Sequence, residues 1–237
     1  MNYIMGDTHG DWWTIRNVIT RNKLSDGDRL FICGDFGFIW SPEDTKYERE
    51  ENVRLGKIND FGVEVLFIDG NHENFERLYK FPEIEKYGGM VGQIRENIFH
   101  LKRGYVYEID GKKIFTMGGG VSIDRVQRKE GFSWWPEEMH SKAEQDFAMD
   151  NLDKANWEVD FIITHSAPMQ AEPMIKKAVE YSGRYGMFKL NALHSESQFH
   201  TMVYDKIKFQ EWHFGHYHEE AVDGQFYLHY DRAVKFF

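Results

Sequence analysis

The sequence has one cysteine, five prolines and no apolar run longer than four residues. A single cysteine excludes an internal disulfide framework and a cysteine zinc cluster. The prolines are scattered, and no repeat or low-complexity tract interrupts the chain, so one domain over residues 1–237 is expected. Runs such as Leu30–Cys33 and Val65–Ile68 fall far short of the roughly 20 apolar residues that a membrane span needs. Met1 to Asp7 carry no basic flank and no apolar signal core, which together with the lone cysteine suggests a cytoplasmic protein. Positive charge is in deficit too: 29 Lys and Arg against 39 Asp and Glu give a formal net charge of −10. That balance gives no signal for duplex DNA. It leaves phosphorylated substrates open, because bound cations can dominate a site's local charge.

What is present suffices for a buried core: 237 residues, 41% hydrophobic and 16% aromatic. The front half alternates strand and helix patterns. Tyr3–Met5, Arg29–Cys33 and Val63–Ile68 read as buried strands. Apolar spacing predicts a helix over 12–22 with Asp11 as its cap, a charged helix over 43–58 behind Pro42, and a short helix over 72–80. Asp110-Gly111 predicts a hairpin between Tyr105–Ile109 and Lys112–Met117. A helix over 140–152 and a strand over Phe161–Thr164 follow. The stretch 169–200 reads as a helical or irregular excursion. Trp212–Phe214 is a last buried strand ahead of a hairpin turning at Asp223-Gly224. Strand, polar turn, helix, repeated, argues for an α/β layered fold with ligands at the carboxyl ends of the strands.

Five polar clusters stand just after five of these strands: Asp7-Thr8-His9, Gly34-Asp35, Gly70-Asn71-His72-Glu73, Thr164-His165 and Gly215-His216-Tyr217-His218. A lone Asp after a strand is usually a cap or turn residue, and a lone buried His is usually structural. Carboxylates and imidazoles converging from five strand ends are costly to desolvate without a cation, so the combination points to metal. On extended chain, Asp7 and His9 would share one face, as would His216 and His218.

The ordered set D-x-H, GD, GNH plus an acidic residue, a lone His and GHxH resembles the calcineurin-like metallophosphoesterases, over positions 7 to 218. The resemblance implies a four-layer αββα sandwich, two mixed sheets flanked by helices. It implies two divalent metal ions: one held by Asp7, His9, Asp35 and His218, the other by Asp35, Asn71, His165 and His216. Oxygen, amide and imidazole donors without thiolate suit manganese, iron, zinc, cobalt or nickel better than a soft-metal site, and affinity order does not choose among them; manganese is the expected ion. His72 would be the catalytic residue outside the metal sphere. The implied activity is phosphate-ester hydrolysis by a metal-bridging hydroxide in line with the leaving group.

Protein Ser/Thr phosphatases of this family carry GDxxDRG, where this chain has Phe38 and Ile39 in place of the second Asp and the Arg. Glu73 and Asp44 are the nearby carboxylates that could take over the orienting role. The departure tilts the reading toward phosphodiester or nucleotide substrates, that is, a phosphorylated small molecule, nucleotide or nucleic acid. A phosphomonoesterase or protein phosphatase, or a noncatalytic metal-binding module, is the alternative. The loop Gly118–Lys129 offers glycines for close backbone approach to an anion, with Arg125 and Arg128 as substrate-binding candidates. Trp134 and Trp135 read as a lid packing on the core. Lys176, Lys177, Arg184 and Lys189 read as an exposed rim that could shape access. His100, His140, His194, His200, His213 and His229 lie outside the motifs and read as surface residues. The oligomeric state is not indicated.

Overall fold

The computed structural model describes residues 1–122, 124–182 and 195–237. Its first sheet is entered through three strand–helix units: β1 (Asn2–Met5), α1 (Trp12–Asn22), β2 (Arg29–Ile32), α2 (Lys46–Asn59), β3 (Glu64–Phe67) and α3 (Phe75–Leu78). Asp11 caps α1, its side chain accepting from the Trp13 amide at 3.0 Å. Helix α2 begins later than its charge pattern suggests. Asp44 is left-handed (φ 62°) and breaks the chain direction, and Thr45 caps the helix by accepting from the Glu48 amide at 3.1 Å.

Three strands follow that the sequence pattern does not separate: β4 (Glu83–Lys86), β5 (Gly89–Arg95) and β6 (Ile98–Leu101). They extend the first sheet in the order β3-β6-β5-β4. The hairpin β7 (Val106–Ile109) and β8 (Lys112–Met117) opens the second sheet. Helix α4 (Lys142–Lys154), β9 (Phe161–Thr164), α5 (Glu172–Ser182), α6 (Ser195–Tyr204) and β10 (Glu211–Phe214) continue it, and β11 (Ala221–Asp223) and β12 (Phe226–Leu228) end it. The short β13 (Val234–Lys235) returns to pair antiparallel with β1. Within the excursion, 169–182 and 195–200 are a 3₁₀ turn and parts of two helices. Arg184, Lys189 and His194 lie outside the described residues.

Alternation along the strands shows the layering. In β1, Tyr3 and Met5 pack with Ile15 and Ile19 of α1, while Ile4 turns the other way. In β2 and β3, Leu30, Ile32, Val65 and Phe67 join the helix side, and Phe31 and Leu66 join Ile4. That second group meets Ile114, Phe161 and Ile163 of the other sheet, so it is the layer between the sheets. The outer faces of β8, β9 and β10 (Phe115, Ile162, Trp212) pack against Leu152, Ile175 and Val203 of α4, α5 and α6. Among the described residues the order is helix, sheet, sheet, helix, with seven and six strands in mixed sheets. Strands β1, β2 and β3 are mutually parallel, as are β9 and β10. Contacts of Asp7 with His216 and of Asp35 with His165 bring the carboxyl ends of the two sets to a common rim, where the five polar clusters emerge.

Candidate metal centre

The ligand candidates are not held on extended chain. His9, Asp35, His216 and His218 are all left-handed, with φ of 46°, 47°, 72° and 53°. Left-handed backbone is uncommon for residues other than glycine, and four cases at one rim mark a site whose backbone is bent to aim side chains. The expected sharing of a face through two-residue spacing is thus replaced by turns. Neighbouring glycines make room for them. A Cβ on Gly70 would collide with Asp35 Oδ1, and one on Gly215 with Asp7 Oδ1.

Two groups of donors result. In the first, one ligand atom from each of Asp7, His9, Asp35 and His218 lies within 4.8 Å of every other, an arrangement that can hold a metal ion. His9 Nε2 and His218 Nε2 are 2.9 Å apart, and His218 Nε2 is 3.0 Å from Asp7 Oδ2. In the second, His165 Nε2 is 3.2 Å from Asn71 Oδ1, 3.3 Å from Asp35 Oδ1 and 3.2 Å from His216 Nδ1. Asp35 belongs to both: Oδ2 is 3.7 Å from His9 Nδ1, while Oδ1 faces His165.

Bonds outside each group fix these orientations. His165 Nδ1 donates to the Cys33 carbonyl at 2.8 Å, which leaves Nε2 facing the centre. Asn71 Nδ2 donates to Ser122 Oγ at 3.1 Å, which turns Oδ1 inward. The His216 amide donates to Asp7, and the His72 amide to Asp35 Oδ1 at 2.8 Å.

The electrostatics are those of a crowded centre. Burial pushes the Asp35 carboxyl up, but His165, His72 and His9 outweigh it and hold Asp35 well below the usual carboxylate range. Burial lowers His165, yet Asp35 and Asp7 raise it to about 9. Burial and the adjoining His165 drive His216 down to about 3. Opposite shifts on two imidazoles in contact mark a conflict of charge that a bound cation would remove.

His72 stands beside both groups without joining either. Its ring meets His9 edge-on at 4.9 Å, and its Nε2 is 3.4 Å from Arg128 Nη2. Burial lowers its pKa against the pull of Asp35. Arg128 lines the cavity of about 210 Å³ over the second group, with Ser122 and Asp124. It pairs with Asp124 at 2.7 Å. Arg125 is exposed and is not among the residues lining that cavity.

A calcineurin-like phosphoesterase family model matches residues 3–220. The chain belongs to the calcineurin-like phosphoesterase family. No curated protein matches it. Membership, the two mixed sheets flanked by helices, and the four-residue metal group together make this calcineurin-like phosphoesterase a metal-dependent phosphoesterase in kind. No helix among the described residues is long and apolar enough to cross a membrane.

Elsewhere the rim of this family member departs from expectation. His100, His140, His200, His213 and His229 are buried, not surface residues. Apolar packing and mutual contacts claim them. His213 Nδ1 meets His229 Nε2 at 2.9 Å, and His140 and His200 lie with rings 5.5 Å apart. His100 Nε2 bonds Asp69 Oδ1 at 2.9 Å in the first sheet. The amides of Gly119 and Gly120 donate to the carbonyls of Asp69 and Glu138, so they are engaged within the protein and not free for an anion. Trp135 is buried against Trp40, as a packing lid would be. Phe38 and Ile39 are fully buried core residues. Glu73 is buried and accepts from the Gly37 amide, and Asp44 is exposed. Neither bonds the His72 ring among the described residues. Missed at the sequence level were Ser122 as the holder of Asn71, and the buried trio Asp69, His100 and Arg103 beneath the Asn71 loop. Asp69, a carboxylate just after the apolar run Val65–Ile68, was the available signal.

Proposed function

We propose that the chain is a dinuclear-metal-dependent phosphoesterase acting on phosphodiesters or nucleotides. The observation carrying this is the split role of Asp35, whose two oxygens face two separate donor groups. In this reading Asp7, His9, Asp35 and His218 hold one ion, and Asp35, Asn71, His165 and His216 the other. The donors fit: they are carboxylate, amide and imidazole, and the only thiol, on Cys33, is buried in the layer between the sheets. Manganese is the leading candidate. Such a pair of ions supplies an acidified water and positive charge for the phosphoryl oxygens. Arg128 orients the phosphoryl group in the cavity it shares with Ser122, as guanidinium donors match phosphate oxygens. His72, next to Arg128 and outside both donor groups, moves a proton at the leaving oxygen. The burial of Phe38 and Ile39 leaves no acid–arginine pair there, which supports diester over phosphoprotein substrates. The single buried thiol is in keeping with a cytoplasmic location.

The test is metal content by mass spectrometry after manganese loading, with turnover of bis-p-nitrophenyl and p-nitrophenyl phosphate. Two ions per chain and faster diester hydrolysis are expected. Two ions with no turnover of either ester would make the chain a binding module, and no ions would end the reading.

A further inference from the structure

A second cavity, of about 230 Å³, opens beside the first. His72 lines both, so the two abut at its ring. The first is walled by ligand candidates and Arg128. The second differs in kind, being lined by His9, Gly10, Gly37, Trp40, Glu51 and Arg54. Trp40 is half-buried, with its ring 5.4 Å from that of His72. Arg54 is exposed on α2, and one of its nitrogens donates to the Gly10 carbonyl at 3.3 Å, beside His9. Its guanidinium has no acid partner among the described residues. Glu51, the one carboxylate among the described residues lining this cavity, is already committed: Oε1 accepts from Ser41, and Oε2 pairs with Arg77 at 2.6 Å. The second cavity therefore combines an aromatic face with one uncompensated cation. It suits a flat ring that carries its own anionic group.

We propose that this cavity is the leaving-group subsite for a nucleotide, with the base on Trp40 and its own phosphate on Arg54. The substrate class is then a phosphodiester between two nucleotides, and this assignment rests on the phosphoesterase reading above. The scissile phosphorus sits by Arg128, and the departing nucleotide passes His72 into the second cavity. For a 5′-phosphorylated dinucleotide such as pdApdA, the hydroxyl of one water ends on phosphorus. Its proton ends on the departing 3′ oxygen as that phosphorus–oxygen bond breaks, giving two molecules of dAMP. A guanidinium–phosphate contact and a base–aromatic stack are each worth roughly a tenfold change or more.

Two measurements test it. The first is the ratio of kcat/KM for pdApdA to that for bis-p-nitrophenyl phosphate, which has no second phosphate. Arg54→Gln should lower that ratio about 10–100-fold, mostly through KM, with Arg54→Lys intermediate. Trp40→Leu should lower it roughly tenfold, and Trp40→Phe should restore most of the loss. The second is calorimetric binding of dAMP in the presence of chelator, which needs no activity. Wild type should bind, and Arg54→Gln about tenfold more weakly. Unchanged ratios, or dAMP binding that ignores both residues, would overturn the subsite. Binding that depends on Arg54 in a protein that hydrolyses neither ester would keep the subsite and sink the phosphoesterase reading.

Discussion

Asp35 concentrates the chemistry of the rim in one side chain. Because Oδ1 and Oδ2 serve different donor groups, Asp35→Asn should lower metal content at both, toward zero ions per chain by mass spectrometry. His72→Ala removes a ring that meets His9 edge-on but belongs to neither group. It should leave metal content at the wild-type value and cut turnover about 10²–10⁴-fold. Metal loss in that variant would place His72 among the ligands. The seven ligand candidates were legible because each is a metal-binding residue type set just after a buried apolar strand. Their backbone was not legible. Nothing in Asp7-Thr8-His9 announces a φ of 46° at His9, and the bend comes from tertiary contacts such as the His9 amide donating to the Asp35 carbonyl. Arg54 was equally silent, since an exposed arginine on a charged helix shows no sign of a cavity until Gly10 lies against it.

Among the elements, those with period-two or all-apolar strands were readable, and β4 to β6 were not. Strand β4 is Glu-Ile-Glu-Lys and half solvated, β5 holds two glycines and a register shift between Gln93 and Arg95, and β6 carries a histidine at its centre. Each weakens the strand signal for a different reason. What fixes them is partly a buried ion pair. Arg103, just past β6, donates through Nε and Nη2 to Asp69 Oδ2 at 2.8 and 2.5 Å, and reaches Glu144 of α4 at 3.2 Å. It thereby ties the end of β3 to the helix over the second sheet. Arg103→Met leaves the fully buried Asp69 carboxylate with only His100 of its two side-chain partners and should cost about 3–5 kcal/mol in urea unfolding. A loss below about 1 kcal/mol would mean that Asp69 takes up a proton instead. On the exposed side, Ser141→Ala removes the capping box of α4 and should cost about 1 kcal/mol.

For the molecule as a whole, the buried histidines are one source of acid sensitivity. Burial lowers His200 to about 3, and holds His140 and His229 well below the ordinary imidazole value of 6.5. The unfolded chain therefore binds protons that the folded one refuses. Stability from these groups is complete above pH 6.5 and is lost as pH falls from there toward 3. His200 alone should account for about 2 kcal/mol between pH 7 and pH 5. His200→Leu should flatten the fall in urea midpoint over that interval, and an unchanged slope would show that other groups control it.

His9 and His218 touch across 209 positions of sequence. Any ion gripped by both fastens almost the full length of polypeptide into a ring, and long closures of this kind resist thermal disruption most. It also buttons the strand ends of one sheet to those of the other. Stripping divalent ions with EDTA should thus lower the melting temperature by several degrees and speed amide exchange first along the seam between the sheets. The same atoms that prepare a phosphate for cleavage would then double as the clasp of the fold.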